Sequence, residues 1–161
     1  MDEAALAAKK SVLRTIPYGL YVLAAKNGDE IGAGAINWVT QVSFSPPLVA
    51  MGVKTDSHLY ATLKASGSFA LSFLSTGQKD MAFDFFKPTV VDGHQLNGHH
   101  FVAHETGAPV IASALGFVEG KVVGELSIGD HSCVVGEVTN AGHGREVGIL
   151  TLEECGVKYG G

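Results

Sequence analysis

The sequence predicts a mainly β domain, a small barrel with two or three peripheral helices, and three observations lead there. Apolar runs of strand length outnumber the helical stretches, and their irregular spacing does not alternate as a βαβ fold would. Glycine supplies 21 of 161 residues, about twice its usual share of roughly 7%, with few prolines and no collagen-like period. The long run from Leu115 to Leu126 is dotted with Gly116, Gly120 and Gly124, a pattern that suits a strand bent sharply at a barrel corner.

Residues 2–14 read as a helix, because Asp2 can cap it, alanines and lysines favour it, and Leu6 and Leu13 share a face. Pro17 stops it. A strand follows over Leu20–Ala25, and Lys26-Asn27-Gly28-Asp29 carries a strong hairpin signal into a partner strand from Glu30 to Ile36. Val49 to Val53 forms a third strand, entered through Pro46-Pro47. Asp56 or Ser57 can cap a helix that ends near Ala65, with Leu59 and Leu63 one turn apart. Phe69 to Leu74 is a strand, and Gln78 to Phe86 is helical up to Pro88. Residues 87–113 read as a long loop with at most one short strand. Leu115–Leu126 and Ser132–Ala141 are strands, and Ile149–Leu152 adds a short final one.

Charge and composition exclude several functions. With 11 Lys+Arg against 16 Asp+Glu the net charge is −5, so the chain lacks the positive surface that nucleic acid requires. At 46% apolar and 17% charged it buries a core and is not disordered. The acidic start Met1-Asp2-Glu3 is unlike a secretory leader, and no apolar run is long enough to span a membrane. A cytoplasmic protein with Cys133 and Cys155 as buried reduced thiols is therefore expected. Gly32-Ala33-Gly34 has Asn37 where a dinucleotide fingerprint needs its third glycine, so a Rossmann site is not expected. His94, His99, His100 and His104 crowd one segment, but they lack metal-site spacing and read better as a polar loop. Asp130-His131-Ser132 holds triad residue types, yet sequence neighbours diverge too far to act as a triad.

The stretch from Ile36 to Pro47 is more telling. It sets small polar donors beside Trp38, the single tryptophan, and Lys54, Ser57 and His58 lie just beyond. A helix starting at Ser57 offers free backbone N–H groups and a positive dipole end to an anion, to which Lys54 adds a full charge. Such a place suits a phosphate; an ordinary loop and helix cap is the plain alternative.

Four motifs in order then show a resemblance: Thr15-Ile16-Pro17-Tyr18-Gly19-Leu20-Tyr21-Val22; Asn37-Trp38-Val39-Thr40-Gln41-Val42-Ser43-Phe44-Ser45-Pro46-Pro47-Leu48-Val49; Gly129-Asp130-His131-Ser132 with Gly136-Glu137-Val138; and Tyr159-Gly160-Gly161. Over nearly its whole length the sequence resembles the flavin reductase-like family of FMN-binding split-barrel proteins. Within it the nearest subgroup is similar to flavoredoxin and to the flavin domain of high-molecular-weight rubredoxins. The resemblance implies a six-stranded split β-barrel, a homodimer, bound FMN (with FAD possible), and NADH or NADPH as reductant. By position, Asn37, Trp38, Val39, Thr40 and Gln41 would contact the ribityl chain and phosphate. Ala50, Met51, Gly52 and Val53 would lie along the flavin, and Lys54, Ser57 and His58 would complete the phosphate site. Phe86, Lys87 and Pro88 would close over the cofactor, from the same chain or from the dimer mate, and His131 would stand on the nicotinamide side. Relatives often carry Asn in the strand that here reads Phe69-Ala70-Leu71-Ser72-Phe73-Leu74, so a contact there differs. No paired-cysteine domain follows, so a rubredoxin-type partner is expected as a separate protein.

Flavin brings hydride and single-electron chemistry with it, so no nucleophile or strong acid–base pair is required. The protein's tasks are to hold the cofactor, expose one face and tune its potential, with Trp38 or Phe86 as shields. The expectation is an FMN-dependent NAD(P)H oxidoreductase. Its rivals are a non-enzymatic FMN electron carrier, a planar-ligand binding module, and a metal hydrolase using His94 to His104.

Overall fold

The computed structural model describes residues 1–161. Helix α1 (Glu3–Leu13) is capped by Asp2, whose carboxylate accepts from the Ala5 amide at 2.8 Å. None of its side chains is buried, so the face shared by Leu6 and Leu13 stays open. Strands β1 (Tyr21–Asn27) and β2 (Glu30–Ile36) form the expected hairpin. Asn27 pairs with Glu30, which leaves Gly28 and Asp29 as the turn, and Gly28 takes the positive φ of 61° there.

Strands β3 (Val39–Ser43) and β4 (Leu48–Lys54) pair antiparallel and lead into α2 (His58–Ser66). Gly67 closes α2 in the left-handed conformation and starts β5 (Ser68–Phe73). Helix α3 (Lys79–Asp84) follows, then the short strands β6 (Val91–Asp92), β7 (Gln95–Leu96), β8 (His99–Ala103) and β9 (Pro109–Ile111). The chain ends through the long β10 (Gly116–Ser127) and β11 (His131–His143). The main sheet has the order β2-β1-β5-β10-β11-β4-β3, and β6 to β9 form a second, four-stranded sheet. No ladder joins the edge strands β2 and β3, so the barrel-like sheet is split beside Asn37 and Trp38. No helix is long and apolar enough to cross a membrane.

Strand β1 is buried on both faces. Val22 and Ala24 enter one core with Leu74, Phe85, Leu96 and Ile111, while Leu23 and Ala25 enter another with Met51, Leu63, Phe69 and Val134. That double burial is why β1 reads as an unbroken apolar run.

Several expectations need correction. The main sheet has seven strands rather than six, because 39–43, read as polar loop, pairs with β4 along an exposed edge. Residues 87–113 carry four short strands, and Ile149–Leu152 makes only isolated bridges to Ser75 and Gly19. Cys133 is exposed rather than buried; Cys155 is buried, which pushes its thiol up from its ordinary value. Gly120 sits at a bulge where a side chain would overlap the Glu137 carbonyl oxygen, so close approach requires glycine there. Gly32 lets β2 lie against α2, with Thr62 Oγ1 only 2.8 Å from where a Cβ would stand.

The histidines of 94–104 disperse. His99 pairs with Asp84 at 2.9 Å, His104 stacks on Phe117 at 4.4 Å, and the rings of His94 and His100 lie 6.5 Å apart. Nearby, the fully buried Glu119 accepts from the amides of Glu105 (2.9 Å) and Thr106 (3.2 Å), the Thr106 hydroxyl (2.5 Å) and Asn140 Nδ2 (2.7 Å). Burial pushes its carboxyl up, but these four donors together hold it below its ordinary value.

Candidate functional site

The last turn of β4 and the first turn of α2 meet at a cavity of about 830 Å³, well within the range of small-molecule sites. Its floor is the end of β2 with Gly34, Ala35, Ile36 and Asn37. One wall is β4 and α2: Gly52, Val53, Lys54, Asp56, Ser57, His58 and Leu59. Ser57 caps α2 by accepting from the Tyr60 amide at 3.1 Å while its hydroxyl donates to the Lys54 carbonyl at 2.7 Å. The cap leaves the His58 and Leu59 amides without a helical partner, so the positive end of α2 opens on the cavity. Lys54 lies 3.5 Å from Asp56, and His58 lies 3.4 Å from Glu30.

The opposite wall is Phe85 to Thr89. This segment docks along the free edge of β2: the Ala35 amide donates to the Phe85 carbonyl at 3.0 Å, and the Thr89 hydroxyl both accepts from and donates to the Ala33 backbone. Phe85 is buried in the core, whereas Phe86 is half exposed and edge-on to Phe83 at 5.6 Å. Lys87 pairs with Asp84 at 3.2 Å. His99 and, after it, Lys87 hold the Asp84 carboxyl below the ordinary range through their hydrogen bonds.

Across the mouth stands a hydrogen-bonded row. His131 Nδ1 lies 2.8 Å from the Asp130 carboxylate and Nε2 lies 2.6 Å from the Tyr159 hydroxyl. His131 holds Asp130 below its usual value, and burial pushes the Tyr159 phenol up. An ionised carboxylate only accepts, so Nδ1 is the donor to Asp130, and Nε2 shares the second hydrogen bond with the Tyr159 hydroxyl.

The structure gathers ten of the residues singled out from sequence on this one cavity: Asn37, Gly52, Val53, Lys54, Ser57, His58, Phe86, Lys87, Pro88 and His131. Phe86, Lys87 and Pro88 line their own chain's cavity. Trp38, Val39, Thr40, Gln41, Ala50 and Met51 do not line it. The reason is register: Val39, Thr40 and Gln41 pair with Met51, Ala50 and Val49, so each step along β3 leads away from Lys54. Thr40 and Gln41 bond only to backbone on their own exposed strand, and Met51 is fully buried in the core. Trp38 packs behind the mouth, 4.7 Å from the His131 ring and 5.1 Å from Tyr159. It backs the His131–Tyr159 row. Sequence reasoning missed Thr89, Phe85 and the C-terminal Leu152, Val157 and Tyr159. Tyr159 stands in a motif that was visible; nothing local marks the others.

Asn37 is only 8% exposed, lines the cavity, and leaves its Nδ2 without any acceptor. A buried amide donor costs about 1–3 kcal/mol when unpaired, so it fits a ligand that brings an acceptor. Anion-ready amides and two lysines at the rim, apolar walls, and this orphaned donor together suit a ligand with an anionic group, a flat apolar part and a polar edge.

Comparison with known proteins places this geometry. The chain is similar to an NADH-dependent FAD reductase of Streptomyces globisporus, 35% identical over 136 residues, covering 82% of this chain and 73% of that protein. It is similar to a high molecular weight rubredoxin of Moorella thermoacetica, 28% identical, covering 80% of this chain and 57% of the other. Among solved structures, the NADH:FAD oxidoreductase of Streptomyces globisporus C-1027 superposes with a TM-score of 0.76 at 30% identity, over 89% of this chain and 85% of that one. The chain spans only about a quarter of the diflavin flavoproteins it also matches, 24% in one from Synechocystis. The model of the family described as "Flavin reductase like domain" matches residues 13–156, and the chain belongs to that family.

Proposed function

We propose that this protein is an NAD(P)H-dependent oxidoreductase that holds FMN in the cavity between β4, α2 and the Phe85–Thr89 segment. The observation that carries the reading is the buried Asn37 Nδ2, unpartnered at the wall of a cavity whose rim joins the α2 N-terminus to Lys54 and Lys87. The bound flavin would supply hydride acceptance and one-electron transfer. The chain's own residues bind and orient. The free α2 amides with Lys54 and Lys87 hold the phosphate, Ser57 fixes the start of α2 through its bonds to Lys54 and Tyr60, Asn37 donates to the ring edge, and Phe86 covers an apolar face. His131, fixed by Asp130 and Tyr159, stands at the mouth where a nicotinamide must enter.

The purified protein is expected to take up FMN, and mixing it with NADH or NADPH in a stopped-flow cell should bleach the flavin absorbance within seconds. The same titration with FAD ranks the two flavins. A yellow protein that neither dinucleotide bleaches would sink the reductase reading in favour of an electron carrier.

We also propose a homodimer and a separate electron acceptor such as a rubredoxin. A monomer of this size seldom exposes so much apolar surface: Leu6, Val12 and Leu13 on α1 are open, Phe44 is 92% exposed and Ile128 84%. Light scattering should give twice the chain mass of 16.7 kDa; a monomer at micromolar concentration would refute the dimer. The acceptor is placed outside these 161 residues because Cys133 and Cys155 are too few for a four-thiolate iron centre.

A further inference from the structure

The cavity wall from Phe85 to Thr89 is a short strap, fastened to β2 at its ends and free in its middle. At one end the Phe85 carbonyl accepts from the Ala35 amide at 3.0 Å, and at the other the Thr89 hydroxyl bonds the Ala33 backbone. Between them Phe86, Lys87 and Pro88 are exposed. The Phe86 and Lys87 amides donate only to the Phe83 and Asp84 carbonyls, back along their own chain.

Both ends of the strap converge on one residue that does not line the cavity, Asn97. Its Nδ2 donates to the Asp84 carbonyl at 2.9 Å, just before the strap, and its Oδ1 accepts from the Val90 amide at 2.7 Å, just after it. The Asn97 amide also donates to the Val90 carbonyl at 2.8 Å, so three hydrogen bonds close the stretch 84–90 onto a single residue. Asn97 is itself anchored. With Gly98 it forms the two-residue turn between β7 and β8, at φ of 48° and 83°, where Leu96 pairs with His99. Leu96 is fully buried in the core, and His99 holds the Asp84 carboxylate at 2.9 Å. The turn does not require this side chain, because glycine takes positive φ more readily than asparagine. What the carboxamide adds is a brace between the two ends of the cavity wall.

We propose that Asn97 is a positioning residue for the flavin: its carboxamide clasps the two ends of the strap, holds Phe86 and Lys87 over the cavity before a ligand arrives, and so sets how tightly flavin is bound. The proposal rests on the flavin-binding reading above. A wall ordered in advance loses little conformational entropy when a ligand enters. Without the clasp, the ordering falls on the binding step, and the apparent affinity drops by the fraction of molecules whose strap is in place.

The test uses Asn97→Gly, which keeps the turn and removes both side-chain bonds, and Asn97→Asp, which keeps the acceptor for the Val90 amide but offers no donor to the Asp84 carbonyl. Fluorescence-quenching titrations should show FMN and riboflavin weakened alike, about tenfold in N97G and about threefold in N97D. Both flavins suffer because the strap carries Phe86 as well as Lys87. Hydrogen exchange on the flavin-free protein should quicken in the peptide covering 85–90 by a similar factor, with β1 and β5 unchanged. Wild-type flavin affinity in N97G would overturn the proposal, since the residue would then serve only the turn. Faster exchange throughout β1 and β5 would also overturn it, by marking a loosened fold rather than a loosened strap. If N97G does not accumulate as folded protein, N97D carries the same two readings. If strap exchange quickens but the wild type takes up neither FMN nor riboflavin, the flavin reading fails and the cofactor role of Asn97 falls with it, while the clasp itself stands.

Discussion

Replacing Glu119 with glutamine is expected to destabilise the protein by about 3 kcal/mol at neutral pH, although no ligand comes near it. The wild-type carboxylate is fully buried and accepts four hydrogen bonds from three directions: the loop at Glu105 and Thr106, the Thr106 hydroxyl, and Asn140 on β11. A carboxamide presents an NH2 group where one of these donors points, so two donors face each other in a site closed to bulk solvent. The pH dependence follows from the direction of the wild-type shift. Its folded carboxyl lies below the ordinary value, so the stabilisation is fully present above the unfolded value, near 4.3, and is lost as pH falls through the folded value. The variant cannot titrate there. Urea unfolding at pH 7 and again near pH 3 should show the gap between wild type and E119Q shrinking in acid. Equal stabilities at pH 7 would mean that the network holds nothing.

Reversing the two cavity lysines together, as Lys54→Glu with Lys87→Glu, is expected to weaken FMN binding by about 100-fold at low salt, roughly tenfold for each charge. Both line the cavity, and Lys54 stands one turn before the opening of α2, where a flavin phosphate meets helix amides as well as the ammonium. Both are exposed and already paired with Asp56 and Asp84, so salt should shrink the effect. Riboflavin, which has no phosphate, is the control: fluorescence-quenching titrations should show its affinity little changed. Equal losses for riboflavin and FMN would place the lysines outside any phosphate site.

Where the sequence could be read depended on how local the controlling interactions are. The β1–β2 hairpin and the Ser57 cap on α2 rest on neighbours a few residues apart, and each was legible. Strand β3 was not. Its Thr40, Gln41 and Ser43 look like loop because one side of an edge strand faces water, and only pairing with β4 makes them a strand. Residues 87–113 were opaque for a related reason: strands of two to five residues carry no period, and His99 and Asn97 are ordered by Asp84, a residue of another element.

The candidate site divides along the same line. From sequence alone came the chemistry: a capped helix start with Lys54 and Ser57 beside it, Asn37 after a glycine-rich strand, and the Gly-Asp-His turn at 129–131. Folding selected among these. Register carried Val39, Thr40 and Gln41 away from the cavity, because each step along β3 pairs with a β4 residue further from Lys54. Folding also added partners no motif contained: Thr89 locking onto Ala33, and Tyr159 closing on His131 from 28 positions further along the chain. Residue type and spacing state which bonds a side chain can make, but only the long-range pairing of strands states which groups arrive within 3 Å of it.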